Sequence, residues 1–177
     1  MNLSLLKTYL NDHLAGSIGG LALARRARDE NAGNPVGEFL VGFIEELEDD
    51  RATLKGVMLA LELPGDLPKQ GSAWLAEKLG RLKLNGRLTS YSPLSRVEEL
   101  EALCLGTEGR LSMWRSLKRL ASKDKRLARF DFAGHISRAE QTRKGLERLR
   151  QMASDEAFAG EDTGSVLRFT PGVPARE

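Results

Sequence analysis

Apolar residues recur every three to four positions through four long stretches of the chain, the period of a helix with one buried face. The first runs from about residue 2 to 32 and stacks Leu3, Leu6, Leu10, Leu14, Leu21 and Ala24. The second carries Leu40, Phe43, Leu47, Leu54, Met58 and Leu61; the third Val97, Leu100, Cys104, Leu111, Trp114 and Leu117; the fourth Phe132, Ile136, Ala139, Leu146, Leu149 and Ala153. No stretch alternates with the period of two that a half-buried strand requires, so the pattern predicts an all-α chain.

Start and stop signals bracket these stretches. Asn34-Pro35 and Ser92-Pro93 each pair a capping side chain with a proline in the first turn, where the missing N–H costs nothing. Ser95 and Glu98 offer an alternative capping box for the third helix, and Asp131 precedes the fourth. "LPGDLP" ends the second helix and Ser122-Lys123-Asp124 the third. A helix of such length reaches roughly 40 Å at about 1.5 Å per residue.

The links differ in length, and that difference carries topology. A few residues join the first pair and about eight the last pair, which makes each pair antiparallel neighbours. About thirty residues, with Trp74, Leu75, Leu79 and Leu82 at the spacing of a short amphipathic helix, separate the second helix from the third. A link that long can cross the bundle from end to end. The reading is a four-helix bundle over 1–160 and an extended or disordered tail over 161–177, "EDTGSVLRFTPGVPARE", punctuated by glycine and proline.

Two antiparallel pairs joined by one long crossover is the connectivity of ferritin-like bundles. The stretches "YLNDHLAG", "LEALCLGTEGRLSMWRSL" and "ISRAEQTRKGLERLR" resemble uncharacterised bacterial ferritin-like proteins, over roughly residues 3 to 158. The resemblance implies an antiparallel bundle with its crossover between helices 2 and 3. It implies no particular activity.

A chain of 177 residues with one cysteine and two histidines has neither a disulfide framework nor Cys and His zinc spacing. Its composition suits a reducing compartment such as the bacterial cytoplasm. The apolar run Leu14 to Ala24 is too short to span a bilayer, and Asp12 and His13 stand where a signal peptide needs positive charge, although "LALA" faintly matches a cleavage site. A cytoplasmic protein with no membrane association is expected.

Gly16, Gly19 and Gly20 interrupt the first helix at i, i+3 and i+4, on one smooth face. A phosphate-binding loop would need a strand before it, and none precedes Gly16. Each mid-helix glycine costs up to about 1 kcal/mol relative to alanine, so close approach by another element, such as Trp74 or Trp114, is the expected return.

Ferritin-like di-iron proteins set one Glu on each of two helices and a Glu-x-x-His pair on each of the others. Here His13 follows Leu10 and His135 follows Phe132 at that spacing, so both pairs lack their glutamate, and Glu45 and Glu48 form a Glu-x-x-Glu pair without an imidazole. His13, Arg51 and Arg143 lie in apolar register instead, and Glu108 and Glu140 border the apolar faces. The expectation is a metal-free polar core layer of His13, Arg51, Glu108, Glu140 and Arg143, with guanidinium groups neutralising carboxylates, and no cofactor. "EELEDD", Glu45 to Asp50, reads as mostly a solvated face, His135 as partly exposed near its helix start, and Cys104 as a small core residue. No serine sits in a nucleophile-elbow pattern.

Charge is uneven: the net is −4 over residues 1–64 and +6 over 65–177. Arg115, Lys118, Arg119, Lys123, Lys125, Arg126 and Arg129 fall within fifteen positions opposed only by Asp124. Few aromatics accompany them, which disfavours nucleic acid, and a solvated helix end complementing the helix dipole accounts for most of the run. Three functions stand: a helical scaffold or interaction protein, as a homodimer or with another protein; a di-iron or manganese carboxylate oxidase or peroxidase; and a binder of an acidic partner through the basic end of helices 3 and 4.

Overall fold

The computed structural model describes residues 1–63, 65 and 91–159. Four long helices form among these residues: α1 (Leu3–Glu30), α2 (Pro35–Ala60), α3 (Pro93–Ala121) and α4 (Phe132–Phe158), with a 3₁₀ turn at Lys125–Leu127. Among the described residues there is no strand. The architecture is all-α, and no described helix is long and apolar enough to cross a membrane. The short amphipathic helix expected around Trp74 and the tail expected over 161–177 lie outside the described residues.

The expected caps form. Asn34 Oδ1 accepts from the N–H groups of Val36 and Gly37, and Asp131 Oδ1 accepts from that of Gly134 at 2.9 Å. Ser92 Oγ accepts from Ser95 N–H at 3.1 Å, so α3 uses its proline-proximal cap rather than the Ser95 and Glu98 box. Each such bond answers one of the amide donors that a helix start leaves without a partner.

Consecutive helices pack antiparallel. Down the α3–α4 seam the pairs Arg96–Glu156, Arg150–Glu101, Arg143–Glu108 and Arg115–Glu140 step in opposite directions along the two helices. α1 also packs on α3, where Arg26 meets Glu99, and α2 on α4, where Asp50 meets His135. α2 and α3 therefore face each other across one diagonal and run parallel, α3 opening at the end of the bundle where α2 opens.

The core has two apolar parts. One gathers Leu21, Ala24, Leu40, Phe43, Leu100 and Leu146; the other gathers Leu10, Leu54, Val57, Trp114, Leu117 and Phe132. Between them, α2 presents Glu46 and Asp50, α3 presents Thr107 and Arg110, and α4 presents His135 and Thr142, so a polar layer crosses the bundle at mid-height.

The glycine face of α1 lies at this same level, between Leu14 and Leu21. Gly19 is buried, Gly16 is exposed and Gly20 partly so, and no described atom lies within 4 Å of a Cβ built at Gly16 or Gly20. Close packing on these two is thus not what the described structure contains. Tight glycines stand elsewhere: a Cβ at Gly37 would meet the Asn31 backbone where α1 turns into α2, and one at Gly145 on α4 would stand 2.5 Å from Phe39 Cε2, so the absence of a side chain there lets α2 and α4 approach.

Candidate functional site

The mid-height layer is built on residues at core register. Along α2 the steps Leu47, Asp50, Leu54 keep to one face; along α3 Leu103, Thr107, Arg110 and Trp114 do; along α4 Phe132, His135, Ala139, Thr142 and Leu146 do. The fold therefore carries charged side chains inward wherever the sequence places them on that stripe.

Asp50 is the hub. Its side chain is 6% exposed, and it uses both oxygens: Oδ2 accepts from Arg110 Nη1 at 2.7 Å and from Trp114 Nε1 at 3.2 Å, while Oδ1 lies 2.5 Å from His135 Nδ1. A carboxylate taken out of water is tolerable only with such partners. Arg110 is equally buried, lies with its Cζ 5.6 Å from the Phe43 ring centroid, and sets Nη2 2.8 Å from Glu46 Oε1. That approach is out of line for a hydrogen bond, so the attraction between Arg110 and Glu46 is Coulombic. Thr142 donates its hydroxyl to Glu46 Oε2, completing the tie between α2 and α4.

His135 stacks on Trp114 with centroids 4.6 Å apart and an interplanar angle of 25°. At the rim, Arg138 sets Nη2 2.8 Å from Asp49 Oδ2 and 2.9 Å from His135 Nδ1. Asp49, Asp50 and His135 each offer a ligand atom within 4.8 Å of the others, a group able to hold a metal ion.

A second polar network closes the end of the bundle where α3 opens. Glu99, fully buried, accepts from Arg26 Nε at 2.8 Å and from the Tyr91 hydroxyl at 2.8 Å. Asn31 donates to Tyr91 and accepts from Arg96, whose Nη1 also reaches Glu156 at 2.7 Å. Burial pushes the Glu99 carboxyl above its ordinary value, against the downward pull of Tyr91 and Arg26. Burial, with Glu99 beside it, likewise pushes the Tyr91 hydroxyl far up. This network joins α1, α3 and α4.

The layer expected from sequence has other members than the one observed. Glu108 and Arg143 pair at 3.4 Å on the outside, both about half exposed, and Glu140 pairs with Arg115 at 2.8 Å, also at the surface. His13 is half buried, edge-on to the Tyr9 ring at 4.6 Å, and burial lowers its pKa despite Asp12. Arg51 is half buried, its Nε without an acceptor among the described residues, and lines a cleft of about 410 Å³ with Leu14, Lys55, Met58 and Leu59.

The physical reason is rotation. One residue is about 100° of helix, and Arg51 and Arg143 each follow the residue that occupies the core, Asp50 and Thr142. Likewise Asp50 and Glu46 leave the solvated face expected of "EELEDD", and His135, expected partly exposed, is buried. Three-and-four stepping through Leu47, Asp50 and Leu54, and through Phe132, His135 and Ala139, is the signal that would have found them. Cys104 is partly buried against the core, and burial raises its thiol pKa.

Compared with protein-family models, curated proteins and solved structures, the chain matches none.

Proposed function

We propose that the protein is a non-enzymatic helical scaffold or protein-interaction module, acting as a homodimer or with another protein, on a bundle of ferritin-like connectivity. Parallel α2 and α3 on a diagonal, with each consecutive pair antiparallel, support that connectivity. The observation that carries the functional reading is the position of Arg110. Its guanidinium lies between Asp50 and Glu46 at mid-height, where a di-iron protein would place its cations. A permanent, non-exchangeable cation neutralises the carboxylates there and fixes the register of three helices without redox chemistry.

Ferrous iron added anaerobically, then exposed to oxygen, tests this. The expected result is no stoichiometry of two ions per chain and no rapid oxidation. Two tightly bound ions per chain with oxygen-dependent oxidation overturn the scaffold and establish the carboxylate oxidase reading. Sedimentation equilibrium tests the homodimer; a monomer at high concentration leaves only another protein as partner.

A second reading is favoured by one observation. Lys118, Arg119, Lys123, Lys125 and Arg129 are exposed where α3 closes, and none pairs with a carboxylate among the described residues. An acidic protein partner would complete that surface. Salt-sensitive binding of polyglutamate, lost on reversing Lys118, Arg119 and Lys123, is the expected result; binding that ignores salt removes it.

A further inference from the structure

We propose that Asp49, Asp50 and His135 form a site for a single divalent cation of the zinc class, held at the α2–α4 edge of the polar layer and guarded by Arg138. This goes beyond the scaffold reading and does not depend on it, since the cation would sit beside Arg110 and not in its place.

Geometry supplies the first argument. Two carboxylates from consecutive residues of α2 and one imidazole from α4 bring a ligand atom each to within 4.8 Å of the others. One nitrogen already faces all three: Arg138 Nη2 lies 2.8 Å from Asp49 Oδ2, 2.9 Å from His135 Nδ1 and 4.0 Å from Asp50 Oδ1. A positive group thus already stands against two of the three ligand atoms, carried by a side chain that is about half exposed and can turn out into water. Exposed ion pairs of this kind hold their arginine weakly.

Proton accounting supplies the second. His135 Nδ1 lies 2.5 Å from Asp50 Oδ1, an oxygen that as a carboxylate can only accept. At 2.9 Å from Arg138 Nη2, which can only donate, the same nitrogen must present a lone pair. A neutral imidazole satisfies one neighbour and leaves the other opposed. A divalent ion resolves this: Nδ1 gives its lone pair to the metal, the ring proton stands on Nε2, both carboxylates ligate, and Arg138 is released.

Charge and donor type supply the third. Glu46, Asp49 and Asp50 place three carboxylates around the layer, and once Arg138 leaves, Arg110 is the cation paired with them among the described residues. The remaining excess suits a divalent cation. One imidazole and two carboxylates is a mixed nitrogen and oxygen set that prefers zinc, cobalt or manganese over calcium or magnesium. Arg110 and Trp114, bonded to the far oxygen of Asp50, would hold that ligand in place behind the metal.

Titration calorimetry with Zn²⁺, and Co²⁺ absorption as a spectroscopic reporter, on the full chain freed of metal, tests the site. One ion per chain is expected, with Co²⁺ bands of a low-coordinate nitrogen and oxygen site. Asp49→Asn, at an exposed position that leaves the fold intact, should weaken binding at least tenfold, and His135→Gln by more. Arg138→Ala should tighten it severalfold by removing the competing cation. Absence of stoichiometric binding in both the parent and Arg138→Ala overturns the proposal, as does binding indifferent to Asp49→Asn. If His135→Gln does not fold, Asp49→Asn and Arg138→Ala decide alone. Two ions per chain with iron oxidation would instead overturn the scaffold reading, so the two failures are distinguishable.

Discussion

Trp114 and His135 stack face to face and bind opposite oxygens of one buried carboxylate: the indole N–H reaches Asp50 Oδ2 at 3.2 Å while the imidazole Nδ1 lies 2.5 Å from Oδ1. The two rings are thereby fixed by the acid they share, and α3 is tied to α4 through a residue of α2. Trp114→Phe retains most of the ring packing and deletes the donor. Its expected cost is about 1–3 kcal/mol, the penalty of an unmet bond to a buried acceptor, read as a lower urea midpoint at unchanged slope. A midpoint equal to that of the parent would mean that Arg110 alone satisfies Oδ2.

Arg110 is the only guanidinium in contact with both Glu46 and Asp50 among the described residues. Arg110→Met fills the space but strands two carboxylates, with an expected loss of about 3–5 kcal/mol. Arg110→Lys should recover only part of this, because the ammonium is a single point of charge and lacks the two nitrogens with which the guanidinium faces Asp50 and Glu46 separately. Adding Asp50→Asn to Arg110→Met should return part of the loss. Additive losses in the pair would show that the two side chains do not interact.

The surface pairs are expected to behave differently. Glu108→Ala and Glu140→Ala each remove one partner of a half-exposed ion pair with Arg143 or Arg115, and each should cost less than about 1 kcal/mol. High salt should shrink even that difference. A loss above about 2 kcal/mol in either would return these residues to the core.

Helix limits and caps were legible in the sequence because they depend on local chemistry: Asn34, Ser92 and Asp131 cap where their positions predict. The antiparallel pairs were legible because short links leave little choice. The polar layer was legible in kind but not in membership. Deciding between Asp50 and Arg51, or between Thr142 and Arg143, means fixing helix rotation to within one residue, and neighbours on the other helices set that angle. The pull of Asp50 on Arg110, Trp114 and His135 is a tertiary fact with no mark at any one position. Glycine misled for the same reason: the helix-to-helix contact that needs a missing side chain is made by Gly145 against Phe39, in a helix whose sequence does not set that residue apart, and not by Gly16 or Gly20.

Gly145 and Gly20 should therefore respond in opposite directions to alanine. At Gly145 the new methyl meets the Phe39 ring, and displacing it should cost about 1–3 kcal/mol, as overpacking commonly does. Phe39→Leu in the same chain should restore much of the loss. Gly20→Ala meets nothing within 4 Å and should gain up to about 1 kcal/mol from helix propensity. Thermal midpoints of the three variants check this, and a destabilised Gly20→Ala would point to an unseen neighbour on that face.

Glu99 gives the chain a pH response opposite to that of most acids. Burial raises its folded pKa above the ordinary 4.5 of a glutamate, so the folded state holds the proton more tightly than the unfolded one. The associated stability is complete below about pH 4.5 and is lost as pH rises through the folded value. Asp124 and Glu147 act in the other sense. Arg126 holds the Asp124 carboxyl below its usual range, Arg150 holds that of Glu147 down to about 2, and their contribution fades as pH falls. Comparing the parent with Glu99→Gln isolates the first effect, because glutamine keeps the shape and cannot ionise. The parent's advantage over Glu99→Gln should be largest near pH 4 and shrink toward pH 8, read from urea midpoints across that range. An advantage that grows with pH would show that the ion pair with Arg26 outweighs burial, and that Glu99 is held as a carboxylate by its partners.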